Sequence, residues 1–78
     1  MATKLSKATD LQQIGINIRR IRTHQGLSMA QLAFEIGTSE KQLSRIELGE
    51  VNSGIQTYIK IARALNSSVS DLMYKVKF

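Results

Sequence analysis

The stretch SMAQLAFEIGTSEKQLSRIELG, residues 28–49, states the same pattern twice. Each copy has a serine, a glutamine three places later, apolar residues at helical spacing and a closing glycine. Ser28 with Gln31 fits a capping box, in which the serine hydroxyl accepts from the third helical amide and the glutamine side chain returns a bond to the cap amide. A helix from Met29 to Ile36 follows, with Leu32, Ala33 and Ile36 inward, and Gly37 closes it. Ser39 with Gln42 repeats the box and opens a helix from Glu40 to Leu48, with Leu43 and Ile46 inward and Gly49 at its end. Two short helices on a tight glycine turn cannot run parallel. They must cross steeply, and Ala33 is small enough to let them approach closely.

The pattern extends in both directions. Upstream, Leu11, Ile14, Ile18 and Ile21 recur at intervals of three and four, which predicts a helix from about Asp10 to Gln25 with Asn17, Arg19, Arg20 and Thr23 facing away from the core. Asp10 is its expected cap, with Gln13 reciprocal, and Gly26 its stop. Residues 1–9 have no comparable pattern and read as a flexible N-terminal segment, with Leu5 as a single apolar anchor. Downstream, the polar connection Glu50 to Gly54 leads to a fourth helix capped by Ser53 with Gln56. Ile55, Tyr58, Ile59, Ala62 and Leu65 form its apolar face, with Ile61 beside it. Asn66, Ser67 and Ser68 break the pattern, and Ser68 with Asp71 opens a fifth helix containing Val69, Leu72 and Met73. None of these helices is long enough to persist in water alone, so residues 10–78 must share one core. The reading is an all-α, compact five-helix domain.

The chain has 78 residues, eleven Lys and Arg against six Asp and Glu, and a formal charge of +5. That length supports a single modest core, and that charge favours a polyanionic partner. The absence of cysteine excludes disulfides and thiolate metal sites, and the one histidine, His24, cannot hold a metal alone. No metal or cofactor is expected. No apolar run approaches the roughly 20 residues of a membrane span, so no membrane role and a cytoplasmic location are expected. Paired carboxylates, a nucleophile with its base, and a glycine-rich phosphate loop are all missing, which argues against an enzyme. His24 has no partner at a telling spacing, and Tyr58 is spaced for packing.

The crossed pair has the lengths, turn and polar outer face of a helix-turn-helix, formed by helices 2 and 3. Such a helix can enter the major groove of double-stranded DNA, where all four base pairs present distinct donors and acceptors. With Leu43 and Ile46 turned to the core, Glu40, Lys41, Ser44 and Arg45 are left to read bases, with Leu48 further round. The fork of Arg45 suits guanine; Lys41 suits guanine or a phosphate, and Glu40 a cytosine amino group or the helix's own positive end. Arg19, Arg20, Ser28, Ser39, Asn52 and Ser53 are the candidate phosphate contacts, the serines through helix-start amides. Lys60 and Arg63 are more diffuse contributors.

These residues resemble the Cro and phage-repressor-like helix-turn-helix family, also called the XRE family, whose fold is the five-helix lambda-repressor-like domain. The resemblance runs from Ile18 to Ser28, through Leu32-Ala33, Gly37-Thr38-Ser39, Leu43 to Glu47 and Gly49, to Ile59–Leu65 and Ser68–Met73, and spans about residues 14–73. It implies a structural ion pair between Arg22 and Glu47, joining the first and third helices. Met29 stands where many members have a phosphate-contacting glutamine, and Asn52-Ser53 replaces the usual asparagine-proline. Members typically bind inverted repeats as homodimers. Restriction-modification controller proteins, which dimerise through the C-terminal helix, are nearest in size and architecture, and here Val69, Met73, Tyr74, Val76 and Phe78 would supply that surface. The implied function is transcriptional regulation by blocking or recruiting RNA polymerase. The competing readings are an antitoxin that neutralises a cognate toxin and a nonspecific architectural DNA binder.

Overall fold

A computed structural model describes residues 2–76 of the chain, with side chains described from Asp10 onward. It contains α1 (Ala2–His24), α2 (Met29–Ile36), α3 (Glu40–Glu47), α4 (Gly54–Ala64) and α5 (Val69–Leu72). Ser28 and Ser68 each close a complete capping box, with Gln31 and Asp71 respectively. Ser39 makes half of one: its hydroxyl accepts from the Gln42 amide at 3.0 Å, but the Gln42 side chain does not return a bond.

Two expected caps are corrected. Asp10 lies inside α1, because neither proline nor glycine interrupts the chain between Ala2 and Ile14 and the helix simply continues toward the N-terminus. Ser53 makes no side-chain cap bond to α4. Its backbone, at φ −89° and ψ −7°, already has helical geometry instead of the extended geometry that aims a cap hydroxyl at the first amides. The Asn52 side-chain oxygen takes the Gly54 amide instead, at 3.3 Å.

The helices close a ring around the core: α1 packs on α3 and α5, α4 packs on α2 and α5, and α2 packs on α3. Ile18, Leu32, Leu43, Ile61, Leu65 and Leu72 are fully buried at its centre. Truncating any one of these leucines to alanine should cost about 2–5 kcal/mol, through lost transfer energy and an unfilled cavity. On α4 the buried stripe is Tyr58, Ile61, Ala62 and Leu65, so Ile61, expected at the side, is central. Ile55, expected in the core, lies in the first turn of α4 and is 57% exposed, burial on this helix beginning with Thr57 and Tyr58.

Asn17 is the largest departure from the sequence pattern. Its spacing predicts a position facing away from the core, yet it is 1% exposed. Its amide nitrogen donates to the Leu72 carbonyl at 2.8 Å and to the Tyr74 carbonyl at 2.7 Å, and its oxygen accepts from Gln13 at 3.0 Å. A polar group can be buried at little cost when its bonding capacity is met in this way. Asn17 therefore ties α1 to the end of α5. Gly15 occupies the other side of α1, where the Glu47 backbone lies against it.

Candidate nucleic-acid interface

The turn between α2 and α3 depends on Gly37 at φ +73°, a left-handed conformation costly for any residue with a Cβ. Its amide bonds back to the last turn of α2, and the Thr38 amide reaches the Ala33 carbonyl at 2.9 Å. The two helices are thereby joined without slack.

α3 has two unlike faces. Leu43, Ile46 and Glu47 are buried. Glu40, Lys41 and Arg45 are exposed, and Ser44 is half-buried between the faces. Lys41 and Arg45, one turn apart, project from the same side. Among the described residues the carboxylate paired with Arg45 is that of Glu50, with Nε to Oε1 at 4.0 Å and both side chains about half exposed. That separation and exposure make it a weak contact that Arg45 can leave at little cost.

The buried pair on the inner face is different. Arg22 meets Glu47 through two parallel bonds, Nε to Oε2 at 2.7 Å and Nη2 to Oε1 at 3.1 Å, and its remaining nitrogen donates to the Leu27 carbonyl at 2.9 Å. The fork matches the carboxylate plane and satisfies both groups, so one bond set joins α1, α3 and the turn before α2.

The candidate phosphate contacts are divided among several places. Ser28 and Ser39 are exposed at the starts of α2 and α3, with their hydroxyls engaged as caps. Arg19 is exposed beside α3, bordering a cleft with Met29, Ser44 and Leu48. Arg20 is turned toward the opposite end, where its guanidinium lies 5.4 Å from the centre of the Tyr74 ring and 3.4 Å from the Asn17 oxygen. Asn52 is exposed in the α3–α4 loop. The Ser53 hydroxyl is buried without a hydrogen-bond partner among the described residues and borders a cleft with Thr38, Gln42, Thr57 and Lys60. Burial raises the pKa of Tyr58 above its ordinary value, an effect the Ser53 backbone opposes.

At the C-terminal surface Val69, Met73 and Val76 are half-buried against the monomer's own core, and Tyr74 is 54% exposed. Phe78 lies outside the described residues. Ile16 and Leu48, each 57% exposed, border one cleft between α1 and α3. The sequence reading missed Gly15 and Asn17. An isolated glycine within a helical pattern, which costs about 1 kcal/mol relative to alanine, is a signal that would have pointed to Gly15. Nothing local marks Asn17 as buried, because the two carbonyls that accept from it, those of Leu72 and Tyr74, lie more than fifty residues away.

Residues 18–72 match the helix-turn-helix family HTH_3. The chain belongs to this family and is a helix-turn-helix transcriptional regulator of the XRE type. It is 31% identical over 55 residues to an uncharacterized HTH-type transcriptional regulator from Archaeoglobus fulgidus, covering 70% of this chain and 79% of that one. Among solved structures, the restriction-modification controller protein C.AhdI from Aeromonas hydrophila superposes with a TM-score of 0.79 at 33% identity, covering 82% of this chain and 97% of that one. The clp gene regulator ClgR from C. glutamicum superposes with a TM-score of 0.80 at 25% identity, with 83% of each chain covered. Among the described residues no helix is long and apolar enough to cross a membrane.

Proposed function

We propose that the chain is a homodimeric, sequence-specific regulator that lays α3 in the major groove of an inverted-repeat operator, and that it serves as a controller of a restriction-modification system. The observation that carries this reading is the state of α3's outer face, where Lys41 and Arg45 are exposed while Leu43, Ile46 and Glu47 hold the helix from behind. Arg45 reads guanine, Lys41 reads guanine or takes a phosphate, Ser44 sits close to a base edge, and Glu40 accepts from cytosine. Ser28, Ser39, Arg19 and Asn52 hold the phosphate backbone on either side, whereas Arg20, turned toward Tyr74, and Ser53, with its hydroxyl buried, fall outside that set. The controller role is supported by the likeness to C.AhdI, which extends over nearly all of that protein.

Val69, Met73, Tyr74, Val76 and Phe78 supply the dimer surface. Symmetry would then place two copies of α3 about 34 Å apart, one turn of DNA. The setting is cytoplasmic, and RNA polymerase is the machinery blocked or recruited. Selecting binding sites from random duplex DNA and footprinting the winner tests the whole reading. A palindromic footprint with half-sites one turn apart is expected. Enrichment of no sequence would refute specific recognition, and co-purification of a second small protein that masks the C-terminal surface would favour the antitoxin reading.

A further inference from the structure

We infer that Gly15, a residue of α1 remote from the outer face of α3, is a positioning residue that sets the pose in which Arg45 meets DNA. The inference rests on the proposed role of α3 and adds a determinant of its specificity. A Cβ placed on Gly15 would lie 2.1 Å from the Glu47 carbonyl oxygen, 2.6 Å from the Glu47 carbonyl carbon and 2.8 Å from the Ile46 carbonyl oxygen. All three atoms belong to backbone, so no side-chain rotation relieves the overlap. Ordinary contact begins at 3.4 Å, and accommodating a methyl group requires the two helices to separate by on the order of 1 Å.

The same seam is tight one turn earlier on α1. A Cβ on Gly49, just beyond α3, would lie 2.7 Å from the Cα and the nitrogen of Gln12. Two successive turns of α1 therefore press directly against the C-terminal end of α3. The helix N-terminus is held elsewhere, by Ser39 and the turn at Gly37. Pushing only the C-terminal end tilts α3 about its start. Arg45, in the last turn, moves farther than Lys41, in the first. Gly15 thus governs the standoff and tilt of the reading surface without touching DNA.

The test compares wild type with Gly15→Ala on the operator selected by wild type and on unrelated duplex DNA, with folding checked by circular dichroism. Gly15→Ala should lose about tenfold or more in operator affinity, the scale of one base contact. Its affinity for unrelated DNA should stay within about twofold, because phosphate attraction does not depend on the exact tilt. The loss should also be absent when Arg45→Ala is already present, since the tilt acts through that side chain. A folded Gly15→Ala protein with wild-type discrimination would overturn the inference, as would a full additional loss in the Arg45→Ala background.

A second pair decides the matter if Gly15→Ala does not fold. Gly49 and Gly26 have nearly the same backbone, φ +74° and +75°, but a Cβ on Gly26 meets nothing within 4 Å. The backbone strain of an alanine is thereby matched, and only crowding of the seam differs. Gly49→Ala should lose discrimination and Gly26→Ala should keep it; equal behaviour would overturn the inference. Failure of wild type to prefer any sequence removes the α3 reading itself. Normal wild-type preference with unchanged seam variants removes only the role of Gly15.

Discussion

Two arginine–glutamate pairs flank α3, and they do opposite work. Arg22 and Glu47 meet through a 2.7 Å bond in the interior, with the side chains 9% and 4% exposed. Arg45 and Glu50 stand 4.0 Å apart, with the side chains 50% and 55% exposed. The first pair is deprived of water and must stay together, because separation would leave a buried charge uncompensated. The second is solvated, and either member can leave. One type of ion pair thus serves as a fixed pin on the buried side of α3 and as a loose rest for a side chain on its exposed side.

The sharpest way to break this contrast is to remove one partner on each side. Glu47→Ala leaves Arg22 charged and buried, and should cost about 3–5 kcal/mol in urea unfolding. A small domain has about 5–15 kcal/mol in all, so much of the folded population is at stake. An effect below 1 kcal/mol would mean that water reaches Arg22 and that the clasp does not hold α3.

Asn17→Ala probes the other tie on α1 and should cost about 1–3 kcal/mol, because the carbonyls of Leu72 and Tyr74 lose their buried donor. The loss should be visible as faster amide exchange in α5 before α3 is affected. Uniform acceleration along the chain would show that α5 does not open separately.

Arg45→Ala should reverse the balance between stability and function. Its side chain is half exposed, so the unfolding free energy should move by no more than about 0.5 kcal/mol. Discrimination between the selected operator and scrambled DNA should fall by about 1–3 kcal/mol, the worth of a bidentate guanine contact. Retained discrimination in a competition titration would remove Arg45 from the base-reading set.

Tyr58 sharpens the comparison with a buried group kept neutral instead of paired. Burial raises its pKa, so the unfolded chain gives up this proton first as pH rises past about 10. Between the unfolded and folded values the native state holds more protons and stability falls with increasing pH. Tyr58's contribution is complete below about pH 10 and is lost as pH rises through the folded value. The alkaline decline in melting temperature should therefore be shallower in Tyr58→Phe. Identical slopes would show that other groups cause the decline.

Local chemistry made much of this fold readable. The boxes at Ser28 and Ser68 and the glycine at 37 involve residues at most a few positions apart, and their bonds form wherever the chain turns helical. The outer face of α3 followed by subtraction, once Leu43 and Ile46 were given to the core. Long-range geometry was not readable. Asn17 sits beside Ile18 on the edge of an apolar stripe, and only the carbonyls at the end of α5 turn that edge inward. Ile55 continues the stripe of α4 correctly by spacing, but spacing does not show where along the helix burial begins. The cap at Ser53 failed because a serine's side chain cannot cap when its backbone is already helical. Gly15 has no side chain for the apolar pattern to mark, and only the Glu47 backbone lying against it, thirty-two positions away, gives it a place.

The smallest expected effect lies at Glu50. An exposed pair of this kind contributes about 0.2–1 kcal/mol, so Glu50→Gln should leave the unfolding midpoint nearly unchanged. Glu50 also donates its backbone amide to the Arg45 carbonyl at 2.9 Å, a bond the substitution keeps, so the loop should hold its course. Binding should respond in the opposite sense to Arg45→Ala. Removing a carboxylate beside Arg45 takes away a charge that repels phosphates and competes for the guanidinium. Affinity should therefore rise by about two- to fivefold at low salt, and the gain should shrink as added salt shortens the Debye length. If Glu50→Gln instead weakens operator binding at every salt concentration, Glu50 holds Arg45 in its reading pose, and the outer pair is an aiming device comparable in kind to the inner one.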